Sequence, residues 1–261
     1  MTPDGRPAAF VSFVGAGPGD ADLITVKGLR RLREADVVIH DRLIPRALLA
    51  EVGAGAEIID VGKAPGHHCV SQERINVLIV ARAIARGRVV RLKGGDPSLF
   101  GRLGEEITAV RAAGLPFEVV PGVTAATAAA ALAGLSLTYR GSASMVVLAT
   151  GTDHTGRPTA ALDWELLART DATLVFYMAM RGLETITATL TALGRDPREP
   201  ALIVERAGMA DERVVAGCVG EIAAAAHAAG LQSPAVLITG AAAAGVRFGR
   251  ALGGEPAVMR V

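Results

Sequence analysis

Short apolar runs alternate with longer stretches of helical character through the first half of the chain. The runs with the length of buried strands are VSFV (11–14), DVVIHD (36–41), EIIDVG (57–62), RVVRL (88–92) and FEVV (117–120). Helical stretches separate these runs, and an Ala-rich helix is predicted after PGVTAAT. Strands that alternate with helices predict a mostly parallel sheet with both faces covered.

Two of the predicted helices have a recognisable apolar spacing. In LITVKGLRRLREA (23–35), three-residue steps separate Leu23, Val26, Leu29 and Leu32. Ser71 is the predicted N-cap of the other helix. The apolar face of that helix is predicted to comprise Ile75, Leu78, Ile79 and Ile84. Both spacings predict amphipathic helices that pack on the sheet.

The regular alternation of strand-like runs and helical stretches changes around SLTYRGSAS (136–144). The strand-like runs beyond it are MVVLAT, TLVFYM, ALIVE, RVVAG and AVLIT. RVVAG follows ALIVE after only a short link, so part of this second sheet is predicted to be antiparallel. We expect a tail over residues 1–10, an N-terminal α/β domain over 11–140, a C-terminal α/β domain over 141–250 and a tail over 251–261.

Composition favours a folded protein and argues against several kinds of partner. Of the 261 residues, 51% are hydrophobic and the mean hydropathy is +0.39, which is ample for a buried core. Aromatic residues make up only 3%, so a stacking platform for single-stranded nucleic acid is not expected. A net charge of +1 gives no global attraction to nucleic acid or a membrane surface.

The cysteine content favours a reduced, cytoplasmic protein. Cys69 and Cys218 are far apart and form neither a CxxC motif nor a disulfide framework. Residues 1–9 lack the apolar core of a signal peptide, and no apolar run is long enough to span a bilayer. The run HHC (67–69) has no second ligand pair at a usual zinc spacing, so no metal site is expected.

The segment GAGPGD (15–20) raises the question of a dinucleotide site. The third glycine of a G-x-G-x-x-G fingerprint would occupy the position of Asp20. An acid is unfavourable where pyrophosphate would bind, and Pro18 removes a backbone donor. Asp41 stands about where a ribose-binding acid is expected, so a nicotinamide-dependent oxidoreductase stays an alternative.

Unusual sequences follow four of the predicted strands: GAGPGD, HDRL, KGGDP and PGVTAAT. The carboxyl ends of parallel strands meet at one edge of a sheet, where ligands bind. Asp96 suits hydrogen bonds to a ribose or an ammonium group, while Gly94 and Gly95 let the backbone approach a ligand. Lys63 follows the run 57–62 at the same edge.

Three arginines, Arg42, Arg102 and Arg140, follow predicted strand ends or turns. A guanidinium group pairs bidentately with a carboxylate. Together, these side chains would hold a ligand that carries several carboxylates.

The motifs in this order resemble those of the uroporphyrinogen-III C-methyltransferases, within the tetrapyrrole methylase family. The matching blocks are GAGPGDADLITVKGL, ADVVIHDRLI, VGK, RVVRLKGGDPSLFGR, PGVTAAT and TLVFYM, and the resemblance extends over about residues 11 to 240. It implies a two-domain α/β fold with a mostly parallel N-terminal sheet, a mixed C-terminal sheet and an active site in the cleft between domains. It also implies a homodimer.

The resemblance assigns a reaction and its residues. S-adenosylmethionine would donate two methyl groups, to C2 and C7 of uroporphyrinogen III, giving precorrin-2 and S-adenosylhomocysteine on the way to siroheme or cobalamin. Asp41 would be the proton acceptor and Lys63 the proton donor. The implied cofactor residues are Pro18, Gly94, Gly95, Asp96, Leu99, Thr124, Ala125, Met178 and Ala207. The implied substrate residues are Arg42, Arg102, Glu105 and Arg140.

The implied chemistry suits these residue types. The sulfonium already activates the methyl group, so neither a metal nor a redox cofactor is required. A carboxylate base such as Asp41 would assist proton loss from the methylated ring, an effect of about 10²–10⁴-fold. Uroporphyrinogen III carries eight carboxylates, which gives the arginines a role.

Four positions depart from the usual motifs: Ala64, Leu103, Tyr139 and Ala207. They bear on substrate fit and on whether one or two methyl groups are added. Ser98 and Leu99 make the segment GGDPSLFG resemble that of a later methylase, which acts on precorrin-4. Another corrin-ring methylase is therefore an alternative. A module that binds the cofactor without turnover is a further alternative, which the joint presence of Asp41, Lys63 and Arg102 disfavours.

Overall fold

The computed structural model describes residues 8–62, 70–153, 159–245 and 258–260. Its contacts divide the chain into two compact units, Met1–Ala125 and Ala126–Val261. Each unit is built on its own β-sheet, which confirms the predicted two-domain α/β fold class. The predicted boundary follows residue 140, whereas this division places residues 126–140 in the second unit.

The first unit is a five-stranded parallel sheet between two layers of helices. Its strands are β1 Phe10–Gly15, β2 Val37–His40, β3 Glu57–Asp60, β4 Arg88–Lys93 and β5 Phe117–Val120. Its helices are α1 Val26–Arg33, α2 Arg46–Ala50, α3 Gln72–Arg86 and α4 Leu103–Ala112, and α5 Ala125–Leu132 leads into the second unit. The strand order β3-β2-β4-β1-β5 and the parallel pairing of every neighbour confirm the predicted parallel sheet.

Alternate residues of the central strands pack against opposite helix layers. Phe13 and Ile39 contact the core beneath α3 and α4, whereas Val14 and Val38 contact the core beneath α1 and α2. Both faces are therefore buried, which explains why these strands are predominantly apolar. All five carboxyl ends point to one edge of the sheet, where the GAGPGD, HDRL, KGGDP and PGVTAAT segments begin.

Helices form in both predicted stretches, but α1 begins only at Val26, so that Leu23 lies in a preceding 3₁₀ turn, and two apolar positions were assigned to the wrong face. Ser71 does cap α3, and its hydroxyl accepts a hydrogen bond from the amide of Arg74. Ile84 is 63% exposed, because nine residues beyond Ile75 a helix has turned to its opposite side. Val26 is 77% exposed for the related reason that three-residue steps drift around a helix of 3.6 residues per turn.

The second unit contains the mixed sheet that the short link between ALIVE and RVVAG predicted. Its strands are β6 Val146–Thr150, β7 Thr173–Tyr177, β8 Pro200–Glu205, β9 Arg213–Cys218, β10 Ala235–Thr239 and β11 Val258–Arg260, and its helices after α5 are α6 Trp164–Arg169, α7 Leu183–Ala192 and α8 Ile222–Ala228. The strand order is β11-β9-β8-β10-β7-β6, with β6–β7 parallel and the other pairs antiparallel. None of the described helices is long and apolar enough to cross a membrane.

Candidate functional site

Three of the loops at the edge of the parallel sheet are joined through glycine backbone. Gly17 and Gly95 exchange two hydrogen bonds, with N–O distances of 3.3 and 3.0 Å. A Cβ at Gly15 would lie 2.6 Å from the carbonyl oxygen of Gly95, and one at Gly122 would lie 2.8 Å from the Cα of Gly15. Only glycine permits this approach, so the ends of β1, β4 and β5 form one continuous backbone surface.

Asp20 has a local structural role at the position of the missing third glycine. Its carboxylate accepts a hydrogen bond from the amide of Asp22, at 2.9 Å, and caps the short 3₁₀ helix Ala21–Leu23. The described turn therefore opens a 3₁₀ segment rather than the helix that a dinucleotide fingerprint requires.

Asp96 ties two of the edge loops together. Its carboxylate accepts hydrogen bonds from the amide of Gly122 at 2.9 Å, from the amide of Ser98 at 2.8 Å and from the Ser98 hydroxyl. Partial burial by itself raises the pKa of Asp96, but these donors outweigh it and lower the pKa below its ordinary value. Asp96 is thus an ionised brace between the KGGDP and PGVTAAT segments.

The predicted cofactor residues of the first unit surround this glycine surface. Gly94 is exposed, and a Cβ there would meet only Leu43, at 3.9 Å. The Ala125 amide nitrogen lies 4.0 Å from the position of a Cβ on Gly95. Pro18 directly follows Gly17, Leu99 donates its amide to the carbonyl of Asp96, and Thr124 precedes Ala125. The structure therefore brings Pro18, Gly94, Gly95, Asp96, Leu99, Thr124 and Ala125 together.

Asp41 lies beside this surface, at the end of β2. Its amide donates to the carbonyl of Leu92 on β4, and its side chain is about one-third exposed. The carboxylate oxygen Oδ1 accepts a hydrogen bond from Nη2 of Arg91 at 2.5 Å. Arg42, the next residue, is exposed, and its Cβ would lie 2.5 Å from a Cβ on Gly62.

A buried charge network beneath Asp41 was missed by the sequence analysis. Arg91 donates to Oε1 of Glu106 at 2.9 Å, and Lys93 donates to Oε2 of Glu106 at 2.8 Å. Gln72 also donates to Oε1, at 3.3 Å. Glu106 is fully buried, and the side chains of Arg91 and Lys93 are 3% exposed. A signal was present, because two cations follow apolar residues in RVVRLK, a run predicted to form a buried strand, and the structure places this strand at the centre of the sheet.

Burial and neighbouring charges act on the two cations in different ways. Burial lowers the pKa of Lys93, Arg91 lowers it further, and Glu106 only partly compensates. Burial also acts to lower the pKa of Arg91, but Asp41 and Glu106 outweigh this effect and raise it. Arg91 is therefore permanently charged, whereas Lys93 holds its proton less tightly than an exposed lysine.

Two of the predicted substrate residues form an exposed ion pair. Nε and Nη2 of Arg102 each donate to a different carboxylate oxygen of Glu105, both at 2.7 Å. Exposed pairs contribute little to stability, so the guanidinium can exchange Glu105 for a ligand carboxylate. Arg140 is exposed in the turn between Tyr139 and Ala143, in the second unit.

Met178 and Ala207 form a separate group within the second unit. They follow β7 and β8, which end at the same sheet edge because both are antiparallel to β10 between them. The carbonyl of Met178 accepts a hydrogen bond from the Thr152 hydroxyl at 2.8 Å, while the Met178 side chain is 52% exposed. Met178 is therefore not a core residue, and Ala207 is buried.

Backbone strain is concentrated at these loops. Among the described residues, the non-glycine residues with positive φ are Phe100, Arg102, Met178 and Arg206, with φ between 52° and 55°. Each is a predicted site residue or the immediate neighbour of one. Such conformations cost about 1–3 kcal/mol and cluster at functional sites, which gives support independent of the motifs.

Several of the predicted features belong to segments that the structure does not describe. Lys63, Ala64, Cys69 and the HHC run lie outside the described residues. In the part of the chain that the structure describes, no group of three or more His, Cys, Asp or Glu side chains could hold a metal ion.

Comparison with known proteins gives consistent matches. The family model of Tetrapyrrole (Corrin/Porphyrin) Methylases matches residues 11–223. A siroheme synthase of Tolumonas auensis is 46% identical over 234 residues, which cover 90% of this chain and 49% of that protein. The chain thus spans about half the length of the curated relatives it matches.

The matches to two solved structures extend over nearly the whole length of those proteins. A cobalt precorrin-4 methyltransferase has a TM-score of 0.81 and 30% identity, covering 90% of this chain and 96% of that chain. The uroporphyrin-III C-methyltransferase of Thermus thermophilus, in complex with S-adenosylhomocysteine, has a TM-score of 0.75 and 41% identity, covering 91% and 98%.

Proposed function

The chain belongs to the tetrapyrrole methylase family, and on that premise we propose that it methylates uroporphyrinogen III at C2 and C7 to give precorrin-2. The observation that carries the proposal is that the carboxylate of Asp41 and the open backbone at Gly94 lie on one sheet edge. The similarity to the uroporphyrin-III C-methyltransferase of Thermus thermophilus supports the choice of substrate. The product would serve siroheme or cobalamin synthesis.

The residues present fit S-adenosylmethionine. The glycine backbone around Gly94 and Gly95 leaves a surface that a Cβ would fill, and Pro18 and Leu99 offer apolar contacts beside it. We propose that the first-unit group Pro18, Gly94, Gly95, Asp96, Leu99, Thr124 and Ala125 binds this cofactor, together with Met178 and Ala207 of the second unit. When bound, the cofactor supplies an electrophilic methyl group on a sulfonium.

The chain's own residues would then manage protons and charge. Asp41 accepts the proton that the methylated ring loses, and its partly exposed carboxylate suits that role. Lys63 is the proposed proton donor. Arg42, Arg102 and Arg140 pair with substrate carboxylates, and Glu105 holds Arg102 until a substrate carboxylate replaces it. A homodimer stays a prediction.

Gly94→Ala tests the cofactor surface without disturbing the fold. The added methyl group meets no protein atom closer than 3.9 Å, so the unfolding free energy should change by less than about 0.5 kcal/mol. A methyl group pressed against a bound ligand costs about 1–3 kcal/mol, so calorimetry should show S-adenosylmethionine binding weakened by about 10–100-fold.

Gly104→Ala is the matched control for this variant. Gly104 lies in α4 with no atom within 4 Å of its would-be Cβ, so alanine should stabilise the protein and leave cofactor affinity unchanged. If Gly94→Ala binds S-adenosylmethionine as tightly as Gly104→Ala does, Gly94 does not contact the cofactor.

Anaerobic incubation with uroporphyrinogen III and S-adenosylmethionine, followed by mass spectrometry, tests the reaction itself. We expect a product that carries two added methyl groups. A second candidate, methylation of a later corrin ring, is favoured by the higher TM-score of the cobalt precorrin-4 methyltransferase, 0.81 against 0.75. Unmodified uroporphyrinogen III in a sample that binds the cofactor would favour the second candidate.

A further inference from the structure

Arg91 is a buried cation in the central strand of the first sheet. Its neighbours along β4, Val90 and Leu92, are core residues, and its own side chain is 3% exposed. Replacing a buried ion pair by apolar side chains of similar volume is often neutral or stabilising. Stability alone therefore does not account for a guanidinium at this position, which points to a role for the charge.

The guanidinium is held from several directions. Its Nε donates to Glu106 at 2.9 Å, and its Nη1 donates to the carbonyls of Ile39 and Leu92 at 3.4 and 3.3 Å. Those carbonyls belong to the backbone of β2 and β4, which pair with each other in the parallel sheet. Lys93 in turn holds the other oxygen of Glu106. Contacts other than the one with Asp41 therefore already fix the orientation of the Arg91 guanidinium.

The remaining nitrogen of Arg91, Nη2, donates to Oδ1 of Asp41 at 2.5 Å. Asp41 is the first residue after β2, where regular strand pairing ends, so the strand alone does not fix its side chain. We propose that Arg91 is a positioning residue, which holds Oδ1 so that Oδ2 faces the substrate and accepts its proton. This inference rests on the proposed function, in which Asp41 is the base.

Lysine cannot replace arginine in this arrangement. The planar guanidinium presents donors in a fixed fork, so one group reaches Glu106, two carbonyls and Asp41 simultaneously. An ammonium group is a compact point charge on a flexible stem, and it would stay with the fully buried Glu106, because a buried carboxylate that loses its cation costs more than the partly exposed Asp41 does. Arg91→Lys therefore keeps the charge of the network and releases the carboxylate of Asp41.

A double-mutant cycle separates positioning from a general structural role. Arg91→Lys should lower kcat by about 10–100-fold, while KM for uroporphyrinogen III and the calorimetric Kd for S-adenosylmethionine stay within about twofold. In the Asp41→Asn background, Arg91→Lys should cause no further loss, because the carboxylate that it positions is absent. An equal loss in both backgrounds, or an unchanged kcat in the single variant, would overturn the proposal.

Lys93→Met is the matched control. This substitution removes a cation from the same buried Glu106. The Lys93 ammonium that it removes makes no hydrogen bond to Asp41 among the described contacts. We expect it to lower stability as Arg91→Lys does and to change kcat far less. If Arg91→Lys does not fold, Glu106→Gln weakens the anchor of Arg91 and should show the same dependence on Asp41.

A structural measurement keeps this proposal separate from the proposed function. If the wild-type protein adds no methyl group to uroporphyrinogen III, the proposed function fails, whatever Arg91 does. Crystal structures of wild-type and Arg91→Lys protein then test the positioning directly. A displaced or multiply oriented Asp41 carboxylate in the variant is expected, and an unchanged orientation would refute it.

Discussion

Gly122→Ala is expected to destabilise the protein by about 3 kcal/mol and to abolish detectable binding of S-adenosylmethionine. The new Cβ would collide with the carbonyl oxygen of Gly95 and lie 2.8 Å from the Cα of Gly15. Overpacking commonly costs about 1–3 kcal/mol, and this case lies at the high end because the obstructing atoms are backbone of two other strand ends. Neither strand end can move without breaking the Gly17–Gly95 bridge.

The loss of cofactor binding has a separate cause. The amide of Gly122 donates to Oδ2 of Asp96, so displacing Gly122 also removes one of the bonds that keep the KGGDP and PGVTAAT segments together. Urea denaturation gives the stability and calorimetry gives the affinity. Gly104→Ala controls for the general effect of alanine, because its Cβ would stand in open space. An equal denaturation midpoint for the two variants would contradict the close packing of these strand ends.

Gly94 and Gly122 separate two roles that glycines play within one site. A side chain at Gly122 meets protein, whereas a side chain at Gly94 meets none within 3.9 Å. Gly122 is required by the fold, whereas Gly94, on the proposed function, is required by the ligand. The expected outcomes differ accordingly, since Gly122→Ala loses both stability and affinity and Gly94→Ala loses affinity alone.

The strands and the site edge could be predicted because their signals are local. VSFV and RVVRL are apolar runs that end in glycine-rich segments, and parallel topology brings such ends together whatever the rest of the chain does. The faces of the helices were less predictable. Ile84 and Val26 were assigned from counted steps, and a helix of 3.6 residues per turn carries both to the exposed side.

The buried network could not be predicted for a different reason. Glu105 and Glu106 are adjacent acids in the same helix, and their sequence context does not distinguish them. Only the packing of α4 on β4 decides that Glu106 is buried between Arg91 and Lys93, while Glu105 pairs with Arg102 on the surface. The resemblance pointed to Glu105, the exposed acid. Glu106, which contacts Arg91 and through it Asp41, could be identified only from the tertiary contacts.

Removal of the buried acid is the other change with a large expected effect. Glu106→Ala should lower the free energy of unfolding by about 3–5 kcal/mol, because it leaves two buried cations with only Asp41 to balance them. Glu105→Ala is the matched control, one residue away in α4, and removes an exposed ion pair that contributes little. Urea denaturation at pH 7 measures both variants. Similar losses for the two would show that Glu106 is not the centre of a buried ionic network.

The deficit of Glu106→Ala should also depend on pH, through Lys93. Because the folded-state pKa of Lys93 lies below its unfolded value of 10.5, the unfolded chain binds more protons between these two values, and stability rises with pH across that window. Glu106 raises the pKa of Lys93, so its removal lowers the folded-state pKa and extends the window downward. The deficit relative to wild type should therefore shrink as the pH is raised from 7 towards the folded-state pKa of Lys93 in the wild-type protein. Adding Lys93→Met to Glu106→Ala should recover stability at pH 7 and remove this dependence, because Arg91 and Asp41 then balance each other. A double variant less stable than Glu106→Ala would show that repulsion between the two cations is not the cause.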